Sequence, residues 1–323
     1  MQALRVHAFE QPPQLDTLLT PIPGPGQVRV NVQTCGISFF DLLIARGGYQ
    51  WRPPLPFTLG SEFAGVVDAL GPGTEGRFQI GDRVGSSLSI GAWAQQLCAP
   101  ADALHPVSPQ AAIDEAAVLF MPYGTALYAL RERGGLQAGE TVLVLGATGS
   151  VGAAVLQVAK ALGARVIGAA SGAAKCAAVQ AAGADAVVDL AAADWKDQVK
   201  ALAGPGGVDV VADPVGGAAT DTAFRTLGWG GRLLVLGFAS GQIGSLRANL
   251  GIVEGAAMVG VDIRQFRERE PAAARRLMLD VAALHAGGRI QPLISARWPM
   301  ADHAQAFAQA GDRATVGRVL LLP

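Results

Sequence analysis

The chain has 323 residues, with 25 Lys and Arg against 26 Asp and Glu and a formal net charge of −1. That balance removes the broad basic footprint of a nucleic-acid binder. Hydrophobic residues make up 50% and charged residues 16%, a composition that builds a large core and excludes a disordered chain. The mean hydropathy of +0.33 comes from alanine and short valine and leucine runs, none as long as the ~18–20 residues of a membrane-spanning helix. At about 150 residues per domain the length predicts two domains. Cys35, Cys98 and Cys176 lie far apart without a C-x-x-C pair, so neither a disulfide framework nor a cysteine-rich zinc lobe is expected. The first ten residues carry Arg5, His7 and Glu10 and do not read as a secretory signal. A cytoplasmic setting without membrane or nucleic-acid partners is the expectation.

Up to about residue 110 the chain reads as short strands at Leu4–Phe9, Gln27–Thr34, Glu62–Leu70, Asp82–Ser86 and Ala92–Cys98. Gly- and Pro-rich spacers such as 21–26 and 53–56 separate them. This pattern predicts a barrel-like β unit. Asp114–Leu119 and Thr125–Arg133 then read as helices. A strand–helix alternation follows, with strands at Thr141–Leu145, Arg165–Ala169, Ala186–Asp189, Val208–Ala212, Arg232–Leu236 and Ala257–Val261. Helices at Ser150–Leu162, Ala173–Ala182, Asp194–Ala203 and Ala218–Leu227 lie between the first five. Uninterrupted apolar strands in βα alternation predict a doubly wound parallel sheet covered on both faces. The tail predicts a helix at Pro271–Ala286, a strand near Ile294–Trp298, a short helix at Ala301–Ala310 and a last strand at Gly317–Leu322. The expected division is a β-rich domain made of residues 1–115 and 262–323, interrupted by an α/β domain of residues 116–261.

The strongest local signal is Gly146, Thr148, Gly149, Ser150, Val151 and Gly152, a G-x-x-G-x-x-G turn between a buried strand and a helix. Small residues there let the backbone approach a pyrophosphate, and the helix start meets its charge. An NAD site usually adds an acid about 20 residues on, at the end of the second strand. Here that strand runs into Ser171 and Lys175 with no acid. A lysine in the first turn of a helix opposes the helix dipole and so favours an anion nearby, here the 2′-phosphate of NADPH. The bland alternative for Lys175 is a solvated side chain.

Further motifs complete a pattern. They are Cys35-Gly36-Ile37-Ser38-Phe39-Phe40-Asp41, Arg46-Gly47-Gly48-Tyr49, the segment 56–65, Gly81-Asp82-Arg83-Val84, Asp213-Pro214-Val215-Gly216-Gly217 and the segment 231–241. In this order the chain resembles a zinc-independent medium-chain dehydrogenase/reductase of the quinone oxidoreductase (zeta-crystallin-like) branch. The resemblance implies a GroES-like catalytic domain, a Rossmann domain and a nicotinamide cleft between them. It adds Gly237, Phe238, Ala239, Val261 and Arg318 as cofactor contacts. It also implies a homodimer through the last Rossmann strand. Zinc-dependent relatives have ligands where Ser38, Ser61 and Met121 stand here, and neither hydroxyls nor a thioether hold zinc as thiolate and imidazole do. No metal is therefore expected. Asp41 and Glu62 read as structural acids bonding nearby backbone. The catalytic candidates are Tyr49, Ser38 and Thr125 as hydrogen-bond donors to an acceptor, with Tyr49 equally readable as a lid packed beside Trp51.

The function implied is NADPH-dependent hydride transfer to quinones. Reduction of enones or enoyl thioesters, and an NADPH-binding redox sensor without turnover, remain open at this stage.

Overall fold

A computed structural model describes all residues from Met1 to Pro323. The chain divides into two units, one of Met1–Met121 with Gln291–Pro323 and one of Pro122–Ile290.

The first unit begins with β1 (Gln2–Val6), β2 (Gln14–Thr17), β3 (Gln27–Gly36), β4 (Phe57–Thr58), β5 (Glu62–Leu70), β6 (Arg83–Ser87), β7 (Gln96–Pro100) and β8 (His105–Pro106). The second unit supplies β9 (Thr141–Val144), β10 (Arg165–Ala170), β11 (Ala186–Asp189), β12 (Val208–Asp213), β13 (Leu227–Val235) and β14 (Ala257–Gly260). The chain then returns to the first unit with β15 (Ile294–Pro299) and β16 (Arg318–Leu322). β16 lies between β15 and β3, antiparallel to β3, so the C-terminal strand closes the sheet that the N-terminal segment opens. The alternate residues Val28, Val30 and Val32 of β3, with Phe63, Val84 and Trp93, fill the core of this unit.

The second unit has the sheet order β11-β10-β9-β12-β13-β14, parallel throughout. The order reverses between β9 and β12, and in such sheets ligands bind outside the carboxyl ends of the strands at that point. Val142, Leu143 and Val144 are completely buried, as a strand covered on both faces must be. Five of the six strands stand close to where the apolar runs predicted them, and β13 begins at Leu227, five residues before the predicted Arg232.

Several boundaries differ from the sequence reading. The α/β unit extends to Ile290 instead of ending at 261. Helix Pro271–Ala286 buries Leu277, Met278 and Val281, and Met278 packs so closely on Gly124 that a Cβ there would meet its Cε at 2.6 Å. An Arg131–Asp280 ion pair at 2.8 Å ties the same helix to this unit. The helix predicted to Leu227 stops at Phe224, because Leu227 already pairs with Val208 as the start of β13. The strand predicted at Ala92–Cys98 becomes Gln96–Pro100, since Ala92 and Trp93 bond Gly60 and Leu59 outside the ladder. Helix Phe39–Ala45 and helix Ile263–Arg269 were not predicted.

Candidate active site

In the α/β unit the glycine-rich turn leaves β9 at the point of reversal. Gly146 adopts φ +57°, a left-handed conformation that glycine takes without strain. Gly149 donates back to the Gly146 carbonyl at 2.9 Å. A Cβ on Gly152 would sit 2.2 Å from that same carbonyl oxygen, so only glycine permits the crossing. Gly149 is the N-cap of the 12-residue helix Ser150–Ala161, with no side chain capping it. Ser150 is exposed and Thr148 and Val151 half-buried around this start. A helix start without a side-chain cap, reached by a turn with glycine at 146 and 149, has the free amides that suit an anionic group.

The loop after β12 forms the other wall. Asp213 is buried, and its carboxylate accepts from the amides of Val215 and Gly216 at 2.9 and 2.8 Å and from the Thr220 hydroxyl at 2.6 Å. All of that acid's capacity goes into shaping the turn. Beyond β10, Ser171 is exposed and Lys175 half-buried on the first turn of helix Ala173–Ala181. The structure adds an acid the sequence reading did not see there. Asp189, at the end of β11, accepts from the Gly172 and Ala191 amides at 2.9 Å each, and those amides hold its carboxyl below the usual range.

At the carboxyl ends of β13 and β14 a cavity of about 560 Å³ is lined by Val235, Gly237, Phe238 and Val261 together with Tyr128 and Phe266. Three of the predicted residues thus meet in one place; Ala239 follows directly and donates to the Pro214 carbonyl at 3.1 Å. Tyr128 and Phe266 stack at 4.2 Å and 17°. They belong to no motif, and no spacing in the sequence announces their pairing. Thr125, a catalytic candidate, lies buried in helix Phe120–Leu127 of this unit.

In the β-rich unit, Ser38 caps helix Phe39–Ala45. Its hydroxyl accepts from the Asp41 amide at 3.2 Å, and the Asp41 carboxylate accepts from the Ser38 amide at 2.8 Å, a reciprocal capping box. The Ser38 hydroxyl donates to the same Asp41 oxygen at 2.6 Å. The Ser38 and Ser61 hydroxyls are 3.4 Å apart. Asp41 and Glu62 are both 1% exposed. Burial pushes the Asp41 carboxyl up to about 6, the Ser38 and Ser61 hydrogen bonds opposing and the charge of Glu62 adding to the rise. Glu62 pairs with the buried Arg318, whose guanidinium also donates to the Ile37 carbonyl at 3.1 Å. Arg318, predicted as a cofactor contact, is therefore turned onto Glu62 and the backbone. Tyr49 is 38% exposed and meets Phe40 edge-on at 4.8 Å. Nowhere do three or more His, Cys, Asp or Glu side chains come together as metal ligands would.

Two family models match the chain: "Alcohol dehydrogenase GroES-like domain" over residues 24–109 and "Zinc-binding dehydrogenase" over residues 150–279. Quinone oxidoreductase-like protein 2 of Mus musculus is 38% identical over 300 residues, covering 92% of this chain and 85% of its own. A mycobacterial quinone oxidoreductase superposes with a TM-score of 0.91 at 30% identity, over 100% of both chains. The quinone oxidoreductase of Thermus thermophilus, solved also in complex with NADPH, superposes at 0.86 with 29% identity, over 100% of both chains. A GroES-like domain joined to a doubly wound parallel sheet with an anion cradle at its point of reversal defines an oxidoreductase of the two-domain dehydrogenase class. The chain belongs to the medium-chain dehydrogenase/reductase family, in its quinone oxidoreductase branch.

Proposed function

We propose that this protein binds NADPH and reduces quinones by hydride transfer without a metal. The observation that carries the reading is the Ser38–Ser61 pair at 3.4 Å, two hydroxyls where the zinc-dependent relatives have ligands. Such donors do not make a zinc site. Without a Lewis acid an isolated carbonyl is a poor hydride acceptor, whereas a quinone spreads the arriving charge through its own π-system.

The residues present fit the dinucleotide. Its pyrophosphate would be held by the backbone of Gly149–Gly152 at the uncapped helix start, and its 2′-phosphate by Ser171 and Lys175. Gly237, Phe238, Ala239 and Val261 would hold the nicotinamide end, in the cavity beside Tyr128 and Phe266. When bound, the reduced nicotinamide supplies the hydride. The chain's own work is to orient the acceptor, exclude water and offer hydrogen-bond donors to the developing oxyanion, with Tyr49, Ser38 and Thr125 as the candidates.

The deciding experiment is an acceptor panel with NADPH: ortho- and para-quinones, enones, enoyl thioesters and saturated aldehydes. Quinones are expected to be reduced efficiently, and activity is expected to survive chelators with zinc well below one atom per chain. Reduction of saturated aldehydes with no turnover of any quinone or enone would overturn the reading. Lys175→Ala is expected to weaken NADPH binding roughly 10- to 100-fold and spare NADH, the scale of one charge-assisted contact. Equal wild-type affinity for NADPH and NADH would instead give the Asp189 carboxylate at Gly172 the governing role.

The same reading includes a cytoplasmic homodimer. β14 is an edge strand whose Met258 is 59% exposed, and pairing with a second copy would cover it. Light scattering is expected to give a dimer at micromolar concentration. No helix is long and apolar enough to cross a membrane.

A further inference from the structure

Within the α/β unit, the corner where β10 ends lies beside the glycine turn, Ala147 donating to the Ala169 carbonyl at 3.0 Å. That corner holds two opposite charges, and the chain neutralises neither. β10 and β11 run side by side with Ala170 paired to Asp189, so the last residue of β11 stands next to the start of segment 171–175. Asp189 Oδ1 accepts from the Gly172 and Ala191 amides, both at 2.9 Å. Two donors converge on one oxygen of a half-buried carboxylate, and Oδ2 is left for solvent or a ligand. Gly172, at φ +90°, turns its amide to that carboxylate in a conformation glycine takes without strain. Lys175, on the first turn of the helix that follows, makes no ion pair or hydrogen bond within the chain.

We propose that Asp189 is a specificity-determining residue, opposing Lys175 in the choice between a dinucleotide with a 2′-phosphate and one with a 2′-hydroxyl. The inference rests on the dinucleotide reading above and supplies the second half of its selectivity. A 2′-phosphate carries about −1.5 to −2 charge near neutral pH, so Lys175 attracts it and Asp189 repels it. Toward a 2′-hydroxyl the carboxylate does the reverse, because Oδ2 is an acceptor. That is the task an acid at the end of the second strand performs in NAD sites. Here the acid belongs to the third strand and reaches the same corner through the Gly172 amide. The result is a chain that prefers NADPH by less than its lysine alone would give, and that keeps a foothold for NADH.

The surroundings leave that balance to these two side chains. The amides bonded to Asp189 favour its ionised form and hold it below the usual carboxylate range, so its charge is constant at neutral pH. The charge is felt on the first turn of the helix, where it adds to the burial that raises the Cys176 thiol. The other acid of this stretch is spent elsewhere, since Asp185 binds Lys160 at 2.6 Å and the Val166 amide at 2.7 Å.

The test is binding without turnover, by titration calorimetry with NADPH, NADH and the adenosine-end probe adenosine 2′,5′-bisphosphate. Asp189→Asn removes the charge, still offers its side-chain oxygen to both amides, and puts an N–H donor in the place of Oδ2. It is expected to tighten NADPH and the bisphosphate about tenfold at low salt and to weaken NADH. Most of that gain should vanish near 1 M salt, where the Debye length falls to about 3 Å. Asp189→Ala separates the charge from the turn: hydrogen exchange at the freed Gly172 amide speeds up, and the NADPH-to-NADH affinity ratio still rises. A ratio within about twofold of the wild type in both variants would reduce Asp189 to a residue that holds the turn, and would overturn the proposal. If the wild type binds neither NADPH nor the bisphosphate, the dinucleotide reading itself fails and takes this inference with it. If it binds both, and Lys175→Ala weakens them while the Asp189 variants leave the ratio unchanged, only this inference fails.

Discussion

The two units prepare chemistry in opposite ways. The α/β unit does it by subtraction: Gly146, Gly149 and Gly152 themselves carry no side chain, and the backbone and a helix start without a side-chain cap are left open. The β-rich unit does it by insertion, placing Asp41, Glu62 and Arg318 where water is excluded. Backbone amides oriented by a helix need no further stabilisation and do not titrate. Buried charges must be neutralised by partners or by protons, so they tie the unit's stability to pH and to each other. A glycine cradle is therefore sensitive to volume, and a buried cluster to charge.

The strongest way to break this contrast is at Arg318. Arg318→Met removes the guanidinium and leaves Glu62 buried and charged beside Asp41, which is expected to cost about 3–5 kcal/mol in urea unfolding. A loss below about 1 kcal/mol would show that the pair is no more than a surface-type contact.

Asp41 gives the next largest effect. Its folded value of about 6 lies above its ordinary 3.8, so the folded chain keeps a proton that the unfolded chain releases. The resulting stability is full below about pH 4 and lost as pH rises through about 6. Asp41→Asn cannot ionise, and its stability relative to the wild type is expected to rise by up to about 3 kcal/mol between pH 4 and 8. Parallel pH profiles for the two proteins would contradict the assigned burial effect.

Gly152→Ala tests the other unit. Its new methyl would meet the Gly146 carbonyl oxygen at 2.2 Å, and overpacking against backbone is expected to cost about 1–3 kcal/mol. Unlike the Asp41 effect this loss should be independent of pH, with dinucleotide affinity falling alongside. The smallest change is expected at Tyr49, whose ring rather than hydroxyl meets Phe40. Tyr49→Phe should retain the packing and lower quinone turnover by no more than about tenfold, the scale of one hydrogen bond.

The α/β sheet was legible because its signal is local. Val142-Leu143-Val144-Leu145 reads as a buried strand by itself, and the glycine turn follows within a few residues. The β-rich unit was less legible because its partners are distant. Helix Phe39–Ala45 has a complete capping box in Ser38 and Asp41, a signal the sequence held, yet only seven residues lie between Gly-rich flanks. Glu62 and Arg318 meet across 256 positions, and no periodicity marks either as the other's partner. Asp41 read correctly as an acid bonding nearby backbone, whereas Glu62 meets the Arg318 side chain instead of a nearby amide, and the dry burial of both depends on surrounding strands. Asp189 escaped notice for a similar reason: it belongs to the third strand of the alternation, while its carboxylate serves the loop after the second.

The return of β16 to the first sheet also sets the order in which this protein is made. Cys35 pairs with Leu321 and Gly36 with Leu320, so a chain leaving the ribosome carries this end of β3 with an open edge until β16 emerges. Over the same interval Glu62 waits without Arg318. The α/β unit, one uninterrupted stretch from Pro122 to Ile290, is free to fold during that wait. β3 is thus completed only after the whole α/β unit has been made, a long-range pairing that slows folding and exposes strand edges to association. Losing β16 would leave the protein not with a frayed strand but with an unclosed β-rich unit.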